Sequence, residues 1–266
     1  MANYPLSVAE LLALKGVRQL TKLRVETMDD AAAANAAGID MLSVPPELLL
    51  LPEFRQMCPS PFVVGGLEPG LFVTEEDYLR IAFKLLNAGA NAVYCGASLP
   101  IVRRLRDEGI PVVGHVGLIP SRRTWTGGFK AVGKTPASAL WILEETKALE
   151  EAGAFAAEIE VVPAAVAKAI SAQTAMLMIS MGAGMGCDAQ YLFACDVLGA
   201  HDGHYPRHAR RYADLQSEYQ KLQAMRIKAF QDYASDVASG AFPVADELVP
   251  LDHDVQKAIL ETLEKK

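Results

Sequence analysis

Glu158 and Glu160 stand two residues apart at the end of the apolar run Ala156–Glu160. In an extended segment that spacing sends both carboxylates to one face. Like charges held together raise at least one carboxyl pKa unless a cation lies between them, and burying unpaired charge is costly. Acid–base work is therefore the expected use of this pair. His115 lies in Gly114-His115-Val116-Gly117, followed by Pro120-Ser121-Arg122-Arg123. The glycines permit close backbone approach to a ligand, and Arg122 and Arg123 suit a carboxylate or phosphate. An ordinary basic loop is the plainer reading of either arginine alone. Ser180-Met-Gly-Ala-Gly184 is either a tight turn or a loop presenting backbone N–H groups to an anion.

These groups need a scaffold, and the chain supplies one by alternation. Short apolar runs predict strands at Leu23–Glu26, Asp40–Val44, Phe62–Gly65, Ala92–Cys95, Pro111–Gly114, Ala156–Glu160, Ala175–Ile179 and Tyr191–Cys195. Between them lie amphipathic stretches, such as Tyr78, Ile81, Ala82, Leu85 and Leu86 on one face. Thr135-Pro136 reads as an N-cap followed by proline at the first helical position. Three predicted helices end in the phrases Asn35–Gly38, Asn87–Ala90 and Glu151–Ala154, where glycine suits a left-handed terminus. Eight strands alternating with helices over some 250 residues predict an α/β fold, a (β/α)8 TIM barrel with additional N- and C-terminal helices. Residues 1–245 are expected to form the barrel with its N-terminal helix, and 246–266 a C-terminal helical extension. A polar helix is expected from Arg207 through Ala238, and a last one near Asp252–Lys265.

Barrels of this kind carry their chemistry at the C-terminal strand ends. That rule adds Glu26, Glu47, Glu68, Tyr94, Cys95, Cys195 and Asp196 to the candidates. Glu26, Glu47 and Glu68 read more plainly as solvated loop carboxylates. Composition bounds the partners. With 25 basic and 32 acidic residues in 266, the net charge is −7, which disfavours nucleic acid and anionic membrane surfaces. With 51% apolar residues the chain can build a large core. No GxGxxG follows the first predicted strand, and no GxxxxGK[ST] occurs. The opening MANYPLSVAELLALK lacks a signal-peptide pattern, and the four cysteines form no CxxC pair. A cytoplasmic protein with reduced thiols is expected.

Several longer motifs carry a resemblance. GIPVVGHVGLIPSRRTWTGGFKAVGKT (109–135), ALEEAGAFAAEIEVVPAAVAKAI (148–170), GAGMGCDAQ (182–190), DVLG (196–199), RYADL (211–215) and SGAFP (239–243) are similar to the signature of the ketopantoate hydroxymethyltransferases. The resemblance implies a barrel of the phosphoenolpyruvate mutase/isocitrate lyase type and a homo-oligomer, commonly a decamer. It also implies an aldol-type reaction. There a divalent metal, usually Mg²⁺, stabilises the enolate of a 2-oxo acid, which attacks the one-carbon unit of methylenetetrahydrofolate.

Residue by residue, the resemblance carries the catalytic glutamate onto Glu160 and the histidine onto His115. The metal and substrate motif Gly-Asp-Ser falls on Pro45-Pro46-Glu47, and a second metal-linked Asp falls on Gly66. The Lys and Glu of a KLEG motif fall on Tyr94 and Gly96, and Glu158 replaces a small apolar residue. The usual Mg²⁺ site is thus expected to be absent; the cofactor is left unassigned, and the use of methylenetetrahydrofolate is left open. The expectation is an enzyme of the hydroxymethyltransferase or lyase kind acting on a small carboxylate. Its catalytic residues would be Glu160 and His115, with Glu158, Tyr94, Glu47, Arg122, Arg123 and Ser180 toward substrate. A non-catalytic binding or assembly subunit is the alternative, and a rebuilt metal site from Glu47, Glu158, Glu160 and His115 a third.

Overall fold

The computed structural model describes residues 5–67 and 70–265. The candidate Glu68 lies outside the described residues. The elements run α1 (Val8–Ala13), β1 (Leu20–Arg24), α2 (Met28–Ala36), β2 (Met41–Val44), α3 (Pro46–Leu49), α4 (Phe54–Met57) and β3 (Phe62–Leu67). Next come α5 (Glu75–Asn87), β4 (Ala92–Cys95), α6 (Leu99–Asp107), β5 (Val112–Gly117), α7 (Arg123–Thr126) and α8 (Pro136–Glu151). Then follow β6 (Ala156–Glu160), α9 (Ala164–Ser171), β7 (Leu177–Met181), β8 (Ala189–Phe193), α10 (Ala194–Leu198), α11 (Leu215–Ser239) and α12 (His253–Glu264). The eight strands close into a parallel barrel in chain order, with β8 returning to β1.

Local chemistry starts and stops the helices as expected. Thr135 accepts the Ser138 N–H and Pro136 opens α8; Thr74 and Asp77 form a reciprocal cap on α5. Gly38, Gly89 and Gly153 take the left-handed conformation after α2, α5 and α8, turning the chain into the next strand. Strand alternation then sorts the apolar residues into two shells. Leu20, Met41, Phe62, Val113, Ala156 and Leu177 fill the barrel, while Leu42, Val63, Val93, Ala157 and Met178 pack outward under the helices.

Several boundaries differ from the sequence expectation, and pairing explains them. β1 begins at Leu20, three residues before the expected Leu23, because it pairs with β8 from Leu20↔Ala189 to Arg24↔Phe193. β5 runs on to Gly117, so His115 is a strand residue rather than a loop residue. β7 and β8 are each displaced by two residues, to Leu177–Met181 and Ala189–Phe193. Ladder hydrogen bonds decide a register, and local apolar density only approximates it.

The chain divides into two compact units after Ala213, whereas the sequence reading set its boundary at 245/246. In the second unit α11 starts at Leu215, not Arg207, where the Asp214 side chain caps the Ser217 N–H. No residue of α11 or α12 is buried, and Tyr219, Leu222, Phe230, Tyr233, Ile259 and Leu263 are exposed. Among the described residues no helix is long and apolar enough to cross a membrane.

Gly117 ends β5 at φ +86°, and a Cβ there would lie 2.6 Å from the Glu160 carbonyl oxygen and 2.8 Å from Val162 Cγ2. Both the conformation and the contact demand glycine. Gly117→Ala is expected to destabilise the barrel by about 2 kcal/mol or more, measured by urea unfolding.

Candidate active site

Alternation along β6 sends Glu158 and Glu160 into the barrel, and β5 brings His115 alongside them through the pairs His115↔Glu158 and Gly117↔Glu160. His115 Nε2 lies 3.2 Å from Glu160 Oε2 and 3.0 Å from the Leu118 carbonyl. Two acceptors on Nε2 assign the ring proton to that nitrogen, leaving Nδ1 to accept the Tyr94 O–H at 2.8 Å. Glu158 Oε2 stands 3.8 Å from the same Nδ1. Burial pushes the Tyr94 hydroxyl pKa well up, and the charges of Glu158, Tyr191 and Glu160 add to it, so Tyr94 remains a donor.

The remaining Glu158 oxygen, Oε1, accepts from Lys22 Nζ at 2.5 Å. Lys22 is buried (1% exposed) and its ammonium also lies 4.5 Å from the centre of the Tyr191 ring. Tyr191, paired with Lys22 across β8 and β1, is hydrogen-bonded to Ser43 and has its pKa raised, chiefly by burial. The cation that two adjacent carboxylates require is therefore a side chain. The apolar run legible in the sequence begins at Leu23 and leaves Lys22 out. Alternation with inward-facing Leu20, two residues before it, is the available signal.

A cavity of about 270 Å³ opens beside His115, lined also by Cys95, Leu99, Arg122, Trp141, Glu144 and Glu145. Arg122 donates to Glu145 Oε1 at 3.3 Å, while Glu145 Oε2 is buried without a hydrogen-bond partner. Burial raises the Glu145 pKa against the opposing pull of Arg122. After Lys22, Glu145 is the second residue beside the site that the sequence does not flag. Its place in the middle of amphipathic α8 reads as a helix-surface charge until the tertiary contacts are known.

The other expected groups are distributed differently. Arg123 lies over the Phe129 ring at 5.5 Å. Glu47 is exposed on α3, beside a separate cleft with Arg24 and Glu26, which pair at 2.9 Å. Ser180 is buried and accepts the Ala183 N–H at 3.1 Å, holding the loop after β7. All four cysteines are free. Glu47 thus lines a different cleft from His115, and among the described residues no three of Glu47, Glu158, Glu160 and His115 bring their ligand atoms to ion-binding spacing. At the positions matching the resembled Mg²⁺ motif, Pro46 is buried at the start of α3 and Gly66 is backbone of β3. Neither offers a side-chain ligand.

Just after Glu160 the chain is strained. Val161, β-branched, sits at φ +50° and donates its N–H to the Met181 carbonyl at 2.8 Å. Such conformations persist where surrounding contacts over-determine them, and they cluster at sites.

A closed parallel barrel with buried acid–base side chains at the C-terminal strand ends is an enzyme architecture. Residues 54–245 match the family described as Ketopantoate hydroxymethyltransferase, and the chain belongs to that family. A 3-methyl-2-oxobutanoate hydroxymethyltransferase of Nitratidesulfovibrio vulgaris is 33% identical, with 98% of this chain and 91% of the relative covered. One of Dehalococcoides mccartyi is 39% identical over 77% of this chain and 69% of its own. Among solved structures, 2,3-dimethylmalate lyase, a PEP mutase/isocitrate lyase superfamily member, superposes with a TM-score of 0.52. That match has 14% identity and covers 92% of each chain, a likeness of fold.

Removing Lys22 strands a carboxylate inside the barrel. Lys22→Met is expected to cost about 3–5 kcal/mol of stability. The loss should be largely recovered in Lys22→Met/Glu158→Leu. Urea unfolding of the single and double variants checks this.

Proposed function

We propose that the protein makes or breaks a C–C bond in a small 2-oxo acid or related carboxylate by acid–base chemistry, with a substrate other than 3-methyl-2-oxobutanoate. The observation that carries this reading is the connected set Lys22–Glu158–His115–Glu160, inside a barrel of a family that works on C–C bonds. Glu160 is the outermost of the two carboxylates on β6, its side chain 12% exposed, and is the group that exchanges a proton with substrate. His115 steadies the Glu160 carboxylate through Nε2–H, and Tyr94 fixes the imidazole by donating to Nδ1. Arg122, exchanging Glu145 for a substrate carboxylate, supplies the anion contact in the cavity beside His115.

The resembled enzymes draw on Mg²⁺ to stabilise an enolate. Pro46 and Gly66 do not fit such an ion, so this reading contains no step through it and none through folate. Lys22 is the positive charge retained within the barrel, and its field offsets negative charge developing nearby. The change of cation is the reason for assigning a different substrate. One observation favours the alternative of a non-catalytic binding or assembly subunit: Lys22 and Arg122 are both already engaged, with Glu158 and Glu145.

Exchange of C3 protons of 2-oxo acids in D₂O, followed by NMR, separates the two. The enzyme reading expects exchange without added metal, reduced about 100-fold or more by Glu160→Gln and strongly by His115→Ala. No exchange with any 2-oxo acid supports the binding subunit. Rapid turnover of 3-methyl-2-oxobutanoate with methylenetetrahydrofolate, dependent on Mg²⁺, overturns the substrate and metal assignments.

Self-association, up to the decamer the resemblance implies, and a cytoplasmic setting belong to the same reading. The exposed apolar side chains of α11 and α12 support the first, and four free thiols support the second. Light scattering is expected to give a multiple of the 28.6 kDa chain; a monomer at micromolar concentration refutes it.

A further inference from the structure

Past β8 the chain builds a second cluster from residues that the acid–base set does not use. Cys195 and Asp196 lie in α10, and His201 follows two residues after the Gly199 turn. One ligand atom of each, a sulfur, a carboxylate oxygen and an imidazole nitrogen, lies within 4.8 Å of the others. Asp196 is buried, and Cys195 and His201 are half-buried. Three different donor types converge at the C-terminal end of a barrel strand, the side where such folds keep reactive groups.

The cluster is also pre-oriented. His201 Nε2 lies 2.9 Å from Asp196 Oδ1, and its ring stacks on Tyr205 with centroids 4.2 Å apart. The Tyr205 hydroxyl donates to the His201 carbonyl at 2.7 Å, and Arg211 covers the Tyr205 ring. Packing thus holds the imidazole in place. Fixed ligands of this sort are what a metal centre needs from the groups behind it.

We propose that Cys195, Asp196 and His201 bind a borderline-soft divalent cation of the Zn²⁺ class, with water in the remaining position. Thiolate, imidazole and carboxylate together suit Zn²⁺ and its neighbours and disfavour Mg²⁺, which selects oxygen. Among the described residues no further ligand joins the three, the number of protein ligands that leaves a tetrahedral ion open to solvent or substrate. The site is remote in ligand identity from Pro46 and Gly66, and it stands independently of the proposed reaction. Proton balance is simple. His201 Nδ1 accepts the exposed Gly203 N–H at 3.1 Å, which assigns the ring proton to Nε2, facing Asp196. The cation takes that proton's place, the ring proton moves to Nδ1, Gly203 N–H turns to water, and the Cys195 thiol releases one proton to solvent.

Co²⁺ added to the metal-stripped full chain is the direct probe. One equivalent should produce visible d–d bands and a near-ultraviolet thiolate-to-cobalt charge-transfer band, both displaced by Zn²⁺. Cys195→Ser should abolish the charge-transfer band. His201→Gln, at a half-buried position in a loop, should weaken binding about 10-fold or more. Thermal melts of both variants without metal report whether they fold. Failure of the wild-type chain to bind Co²⁺ or Zn²⁺ at stoichiometric concentration overturns the proposal. So does a charge-transfer band that survives Cys195→Ser.

Discussion

Inside the barrel an ammonium and a carboxylate meet at 2.5 Å, carried by strands 136 residues apart in the chain. Taking either charge out of water alone costs several kcal/mol, so the pair is tolerable only as a pair. Lys22 gains a second partner in the Tyr191 ring, and the other oxygen of Glu158 faces the imidazole of His115. From that contact the arrangement propagates outward: Glu158 beside His115, His115 between Tyr94 and Glu160, Glu160 at the mouth. Without Lys22, the two carboxylates beside His115 would repel each other in a poorly hydrated space.

The backbone is shaped to the same end. Gly117 lets the end of β5 lie against the Glu160 carbonyl, where any side chain would collide. Val161 accepts a left-handed conformation directly after Glu160, held by its hydrogen bond to β7. Ser180 ties down the next loop through Ala183. Precision at the C-terminal face is thus bought with local strain, while the opposite face is conventional, with Asp40 tying Arg18 and Thr21 together. Burial works against the Asp40 charge, yet those hydrogen bonds together outweigh it and lower its pKa.

The resemblance carries its catalytic glutamate and histidine onto Glu160 and His115, and its acidic metal ligands onto Pro46 and Gly66. A lysine is a fixed monovalent charge with one short reach, and a divalent ion is an exchangeable charge that chelates. The proposed change of substrate follows from that difference. The second compact unit adds long helices whose apolar residues find no cover within it.

Alternation, helix caps and glycine termini are local signals. They made the eight-strand barrel legible, as well as the shared face of Glu158 and Glu160 and the cap at Thr135, because each depends on residues within a turn or two. What the linear chain could not express was closure. Whether Lys22 faces Glu158 depends on β1 meeting β8 in one register and on the width of a barrel that only eight pairings together fix. The same holds for Glu145, an ordinary helical glutamate until α8 folds it against Arg122 beside His115, and for Glu47, which shares a strand-end pattern with Glu160 but stays at a separate cleft. Periodicity states which way a side chain points; only the closed sheet sets which charge lies opposite, and Coulombic interaction depends on that distance.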